Sequence, residues 1–255
     1  MVGRFFFILQ LIAEELGSGG RMMKVRPRES YLGPVFRADA KAEGQDVVVG
    51  GWECIGGCHP RFARWFSVTL TRASAPWAFS RGEPFRNIAA IELFASLLSV
   101  MVFGEAWRKG ARGVMHLTGL TDNSGNTAAL CRLMSSKFPL VVILTEFVAQ
   151  MRRLNVELDL QWIPRNQNEE ADGLTNGRFE PFDVRRRIHV ELKELHFIVL
   201  GQMLKVADHL YQEVHERRRR EKDESVNQSG PAAADVREQR SKRRRAQPLK
   251  EREPW

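Results

Sequence analysis

Apolar and polar positions alternate first in three short stretches, Val35–Ala40, Asp46–Glu53 and Arg64–Thr71, where Phe66, Val68 and Leu70 interleave with polar neighbours. A period of two marks half-buried strands, and three in succession predict an antiparallel meander. The pattern then changes over Arg86–Trp107, where Ile88, Ile91, Leu93, Phe94, Leu97, Leu98 and Val100 leave almost no polar face. A helix of that kind belongs inside a core. A strand is predicted over Val114–Thr121, followed by Asp122-Asn123-Ser124-Gly125-Asn126, whose Asp and Asn suit the start of a helix. A second helix is predicted over Leu140–Leu154, a strand over Val156–Trp162, whose alternation is unbroken, and a short helix over Glu169–Leu174.

Strands, helix, strand, helices, strand and helix in that order call for an α/β domain: a mixed five-stranded sheet flanked by helices. The expected organisation is an N-terminal helix (Phe5–Leu16) and linker over 1–34, the α/β domain over 35–178, an amphipathic helix over 179–216 and a basic disordered tail over 217–255. The C-terminal helix is predicted from Ile188, Leu192, Leu195, Val199, Met203, Val206, Leu210 and Val214, spaced by three and four. Its stripe would pack on its own domain, or pair with another helix in self-association.

Composition adds little to the fold but narrows the function. With 43% hydrophobic and 27% charged residues the chain can bury a core. The apolar run Phe5–Ala13 is too short for a bilayer span, which takes about 20 residues, and no membrane partner is expected. Three cysteines exclude a disulfide framework and fit a reducing, intracellular compartment. Cys54, Cys58 and His59 lie together in a Gly-rich loop, but three such residues without a fourth partner make a poor zinc site. The net charge of +8 lies mostly after residue 180, in clusters such as Arg217–Arg220 and Lys242–Arg245. Such clusters favour a polyanionic partner or a nuclear signal, leaving nucleus and cytoplasm both open.

Glu92 stands in the middle of the most apolar helix, where an unpartnered carboxylate would cost several kcal/mol. Asp39 and Asp122 fall at strand ends and Asp172 in a short helix after the last strand, so all four side chains can converge at one sheet edge. Carboxylates so grouped repel unless cations hold them. Hard divalent ions with oxygen ligands supply that compensation. Taken singly, Asp122 serves equally well as a helix cap and Asp39 as a turn residue.

Four blocks in order, Phe36-Arg37-Ala38-Asp39-Ala40, Ile91-Glu92-Leu93-Phe94-Ala95, Leu120-Thr121-Asp122-Asn123 and Asn168-Glu169-Glu170-Ala171-Asp172-Gly173-Leu174, resemble those of ribonuclease H. Gly50-Gly51-Trp52 resembles the second strand of that fold, and Trp162-Ile163-Pro164-Arg165 the strand and loop before the last motif in retrotransposon polyproteins. The resemblance implies a metal-dependent endonuclease that hydrolyses the RNA strand of RNA–DNA hybrids with two Mg²⁺ or Mn²⁺ ions. It places Asp39, Glu92 and Asp122 as central ligands and Asp172 at the second metal position. Asn123, Ser124 and Arg165 would contact the substrate backbone, although capping explains the first two equally well. Arg81, Arg86, Arg132 and Lys137 are further phosphate-contact candidates.

Many cellular ribonucleases H carry a histidine before the last motif, where this chain reads Pro164-Arg165-Asn166-Gln167-Asn168. The alternative is therefore a catalytically silent remnant that keeps the fold and binds nucleic acid. An integrase- or transposase-type transfer is a third chemistry that the fold can host, with Glu92 in its Ile-Glu-Leu setting favouring ribonuclease H. No Tyr-x-Asp-Asp motif of a polymerase occurs. Residues 1–34 are expected to be the end of a preceding polymerase or connection region of a polyprotein.

Overall fold

The computed structural model describes residues 28–109, 113–135 and 137–202, together with Glu216 and Arg220. The strands are β1 (Arg28–Glu43), β2 (Asp46–Glu53), β3 (Trp65–Leu70), β4 (Val114–Thr121) and β5 (Val156–Trp162). The helices are α1 (Ile88–Trp107), α2 (Ser124–Arg132), α3 (Leu140–Leu154) and α4 (Glu169–Thr175). The strands form one sheet in the order β3-β2-β1-β4-β5. β1–β2 and β2–β3 pair antiparallel, while β1–β4 and β4–β5 pair parallel. This is the mixed five-stranded sheet with flanking helices that the sequence predicts.

β1 starts at Arg28, seven residues before the predicted strand. Pro34, which reads as a strand breaker because it lacks an N–H, sits at a register shift of the β1–β4 pairing, where a missing donor is tolerated.

Successive β1 residues serve opposite faces. Phe36 stacks on Trp107 of α1, with ring centroids 6.1 Å apart. Arg37 turns to the other face and donates to Gln167 O (2.6 Å) and Glu170 Oε2 (3.2 Å), fastening the α4 region to β1. On that face Trp52, Trp65, Ala171, Leu174 and Phe182 form a compact apolar cluster. α1 is long and apolar enough to cross a membrane by composition alone, but it is largely buried inside the domain.

The amphipathic helix expected over 179–216 is not helical between 183 and 199. That segment contains two short 3-10 turns, Val184–Arg186 and Leu192–Glu194, and helical backbone begins only at Leu200. Two tertiary contacts override the three-four spacing. First, Ile188 N donates to Trp65 O (2.7 Å), which ties the chain to the edge strand β3 while Phe179 and Phe182 pack on Trp65. Second, the fully buried Glu146 carboxylate of α3 accepts from the backbone N–H groups of Ile198, Val199 and Leu200 at 3.0, 2.6 and 2.7 Å. An acceptor aimed at three free amides starts a helix at that point and no earlier. Gln150 completes the arrangement by donating to Glu146 Oε1 (2.6 Å) and His196 O (2.7 Å).

The chain divides into two compact units, 1–201 and 202–255. The expected N-terminal helix lies outside the described residues, as does nearly all of the basic tail. Glu216 and Arg220 are both helical and form an i,i+4 ion pair of 3.7 Å.

Glu146→Ala strands the buried amides of Val199 and Leu200, the half-buried amide of Ile198 and the Gln150 side chain, so it lowers stability to urea by about 2–4 kcal/mol. Glu105→Ala, which removes only the exposed pair with Arg153, changes it by less than about 1 kcal/mol. Equal effects in the two melts would show that Glu146 does not organise the C-terminal segment.

Candidate metal centre

Three of the four predicted carboxylates come together. One oxygen each from Asp39, Glu92 and Asp122 lies within 4.8 Å of the others. Asp39 is not at a strand end as predicted but four residues inside the C-terminal end of β1, because the pairing with β2 continues to Glu43, and it is 7% exposed. Glu92 projects from the first turns of α1, and Asp122 directly follows β4, the parallel neighbour of β1. A cleft of about 390 Å³ opens on them, lined also by Arg165, Asp172 and Thr175.

The local sequence explains the convergence. Gly50 is the cross-strand partner of Asp39, and a Cβ there would lie 2.8 Å from Leu174 Cβ. Its absence lets α4 settle on the sheet, so that Thr175 Oγ1 reaches both Asp172 O (2.9 Å) and Asp39 Oδ2 (3.3 Å). Asn168 Nδ2 donates to Ala38 O (3.2 Å) from the start of the same helix. Asn123 caps α2 by accepting from Asn126 N (3.0 Å), and its amide also donates to Glu92 Oε2. Capping and site architecture, which the sequence leaves as alternatives for Asn123, are thus both realised. Ser124 is exposed at the first turn of α2.

Asp172 lines the cleft but is outside the group of three. Its Oδ1 meets Arg165 Nη2 at 2.8 Å, and its Oδ2 meets Arg178 Nη2 at 2.6 Å and Asn176 Nδ2 at 3.1 Å. Arg165 therefore stands at the cleft, engaged with a carboxylate. Arg81 is held by Phe138 O at 2.6 Å, and Arg86 lies over the Phe85 ring.

Burial raises the Asp39 carboxyl to about 7, and the Asp122 charge adds to the rise while the Ala40 amide opposes it. Burial likewise raises Glu92 to about 7, against the lowering effect of the Asn123 hydrogen bond, with Asp122 and Asp39 adding to the rise. Both groups sit where a second negative charge is unfavourable without protons or a cation. The donors are all carboxylate oxygens, the hard ligand set suited to Mg²⁺ or Mn²⁺. By that measure the residues fit a divalent cation.

Cys54, Cys58 and His59 form no such group among the described residues. Cys54 is buried, its Sγ contacts Pro34 O (3.5 Å), and burial pushes its thiol up to about 12. His59 Nδ1 accepts from Arg61 N (3.2 Å).

Sequence reasoning did not single out Thr175 or Arg178, and it took Trp162 only as part of the strand and loop before the last motif. Trp162 is 53% exposed although strand alternation would bury it, and its Nε1 donates to Asp122 O (3.0 Å). A large aromatic on the exposed end of a strand beside a candidate ligand is the signal that points to it. Arg178 follows Gly177, whose φ of 73° turns the chain back over α4, a geometry that a helix-end glycine announces.

No protein-family model matches the chain, and no curated protein matches it. Solved structures similar to it include ribonuclease H1 from the halophilic archaeon Halobacterium salinarum, at 18% identity and TM-score 0.34, covering 60% of this chain and 98% of that one. A ribonuclease H1 isolated from compost by a metagenomic approach is 16% identical, with TM-score 0.34 and coverages of 57% and 94%. The N-terminal ribonuclease H domain of a Mycobacterium tuberculosis protein is 16% identical, with TM-score 0.33 and coverages of 60% and 94%.

The raised carboxyls set a pH dependence for the metal-free protein. Asp39 and Glu92 have ordinary values of 3.8 and 4.5 in the unfolded chain and about 7 in the folded one. Between these values the folded chain holds more protons, so their contribution to stability falls as pH rises from about 4 to about 7. Asp39→Asn removes the Asp39 share of that loss and leaves the Glu92 share, which burial causes. Its stability relative to wild type in EDTA should rise between pH 5 and pH 8 by on the order of 1–3 kcal/mol in thermal melts, and a pH-independent difference would refute the burial argument.

Proposed function

We propose that this chain is a metal-dependent endonuclease of ribonuclease H type, hydrolysing the RNA strand of RNA–DNA hybrids with two Mg²⁺ or Mn²⁺ ions. The observation that carries the reading is the meeting of Asp39, Glu92 and Asp122 oxygens within 4.8 Å in an open cleft. The order of the four sequence blocks supports it. The same blocks, with the Trp162-Ile163-Pro164-Arg165 loop, support a retroelement polyprotein as the source of the domain, spanning about 35–178.

Asp39, Glu92 and Asp122 would be the central ligands, and Asp172 would complete the second metal position. When bound, such a pair supplies an activated water and stabilises the leaving oxygen of a phosphodiester. The protein's own contributions are positional. Asn123 orients the Glu92 carboxylate, Trp162 anchors the main chain at Asp122, and Thr175 links Asp39 to α4. Recognition of an RNA strand would rest on its 2′-hydroxyls and phosphates, because base edges in an A-like helix are poorly accessible.

The test is cleavage of a labelled RNA–DNA hybrid by the full-length chain in Mg²⁺ and Mn²⁺, with single-stranded RNA alongside. Hybrid-specific cleavage is expected, and Asp122→Asn should reduce it at least about a hundredfold by removing charge from the centre of the site. Binding of the hybrid without metal-dependent cleavage would instead identify a silent nucleic-acid-binding domain.

A further inference from the structure

Asp172 is where two clefts meet. One is the carboxylate cleft, and the other, of about 900 Å³, runs past His59, Arg165, Asn166, Arg178 and Glu180. The Asp172 side chain is 18% exposed, whereas those of its two guanidinium partners, Arg165 and Arg178, are 79% and 61% exposed. Each oxygen of Asp172 is thus taken by a guanidinium that stands mainly in solvent.

Both arginines have anchored backbones. Arg165 begins the turn Arg165–Gln167, which is closed by Gln167 N to Pro164 O (2.8 Å) and gripped by Arg37 at Gln167 O. Arg178 N donates to Gly173 O (2.9 Å), where the lack of a Cβ on Gly173 leaves room for the returning chain. The backbone is therefore fixed while the charged ends can change partner.

An ion pair with so exposed a cation contributes only about 0–1 kcal/mol, so exchange for another oxyanion costs little. A phosphodiester presents the planar guanidinium with the same kind of paired acceptors as a carboxylate. Glu169 and Glu180 on the larger cleft's walls oppose anions elsewhere along it, which confines a phosphate to the two guanidiniums.

We propose that Arg165 and Arg178 form an exchangeable clamp, holding Asp172 in the free protein and passing to backbone phosphates of a bound nucleic-acid strand, which frees Asp172 for the cation site. The clamp rests on the ribonuclease H reading of the carboxylate cleft. Because linkage is reciprocal, strand and cation at Asp172 each strengthen the binding of the other.

Two binding measurements without turnover test it. In EDTA, fluorescence anisotropy of a labelled RNA–DNA hybrid should show Asp172→Asn binding about three- to tenfold more tightly than wild type, because both guanidiniums are released to phosphate. Asp122→Asn, which removes one negative charge from the same region without touching the clamp, should gain clearly less. The gain from Asp172→Asn should vanish when Arg165→Ala and Arg178→Ala are also present. Without nucleic acid, Arg165→Ala/Arg178→Ala should bind Mn²⁺ about three- to tenfold more tightly than wild type by electron paramagnetic resonance. The clamp is overturned if Asp172→Asn gains no more than Asp122→Asn, if its gain survives loss of the arginines, if no variant binds the hybrid, or if Mn²⁺ affinity is unchanged. A protein that passes both tests yet never cleaves the hybrid loses the hydrolase reading and keeps the clamp, whereas one that cleaves and fails them loses the clamp alone.

Discussion

Asp39, Glu92 and Asp122 repel one another, and the surrounding fold holds them together against that repulsion. Their oxygens lie within 4.8 Å, two of the three carboxyls are raised to about 7, and none of the three has a cationic partner at ion-pair distance among the described residues. Each is held by an element that cannot easily retreat. β1 is the central strand of the sheet, α1 is buried along most of its length, and Asp122 is anchored by the β4 register and the Trp162 indole. Local destabilisation of this kind persists only where the rest of the structure over-determines it.

Close approach of α4 to the sheet is what completes the cleft, and it depends on residues chosen for what they lack. Gly50 leaves space for Leu174 opposite Asp39, and Gly119 leaves space for Phe36, whose ring lies 2.3 Å from where a Cβ would stand. With Phe36 seated, the α1 face of β1 is filled. The opposite face is left to Arg37 and Asp39, which reach α4 through Glu170 and Thr175. A small residue on β2 and another on β4 thus set the geometry of polar groups on β1.

Much of this was legible in the sequence because periodicity and burial agree there. β2, β4, α3 and β5 have the bounds their patterns predict, and the acidic positions stand out as carboxylates in apolar surroundings. What escaped is governed by partners distant in sequence. The three-four spacing from Ile188 onward reads as helix, but Trp65 and Glu146, more than fifty residues earlier, claim that segment's amides. Pro34 looks like a strand boundary until the β1–β4 bulge supplies a place for it. Asp172 reads as equal to the other three acids, and nothing local reveals that Arg178 shares it with Arg165.

The distribution of charge follows from the same geometry. A chain with net charge +8 keeps a concentrated negative centre, which by itself would repel a polyanion. The opposing charges on Asp172 come from flexible side chains at the rim, whereas Asp39 is buried under α4 and has a threonine hydroxyl in place of a cation. A cluster of carboxylates with no cation at ion-pair distance among the described residues, and a neighbouring carboxylate with two, are different answers to one electrostatic problem. The first leaves a set of hard oxygen donors uncompensated by positive charge, and the second places positive charge at the mouth of the same cleft.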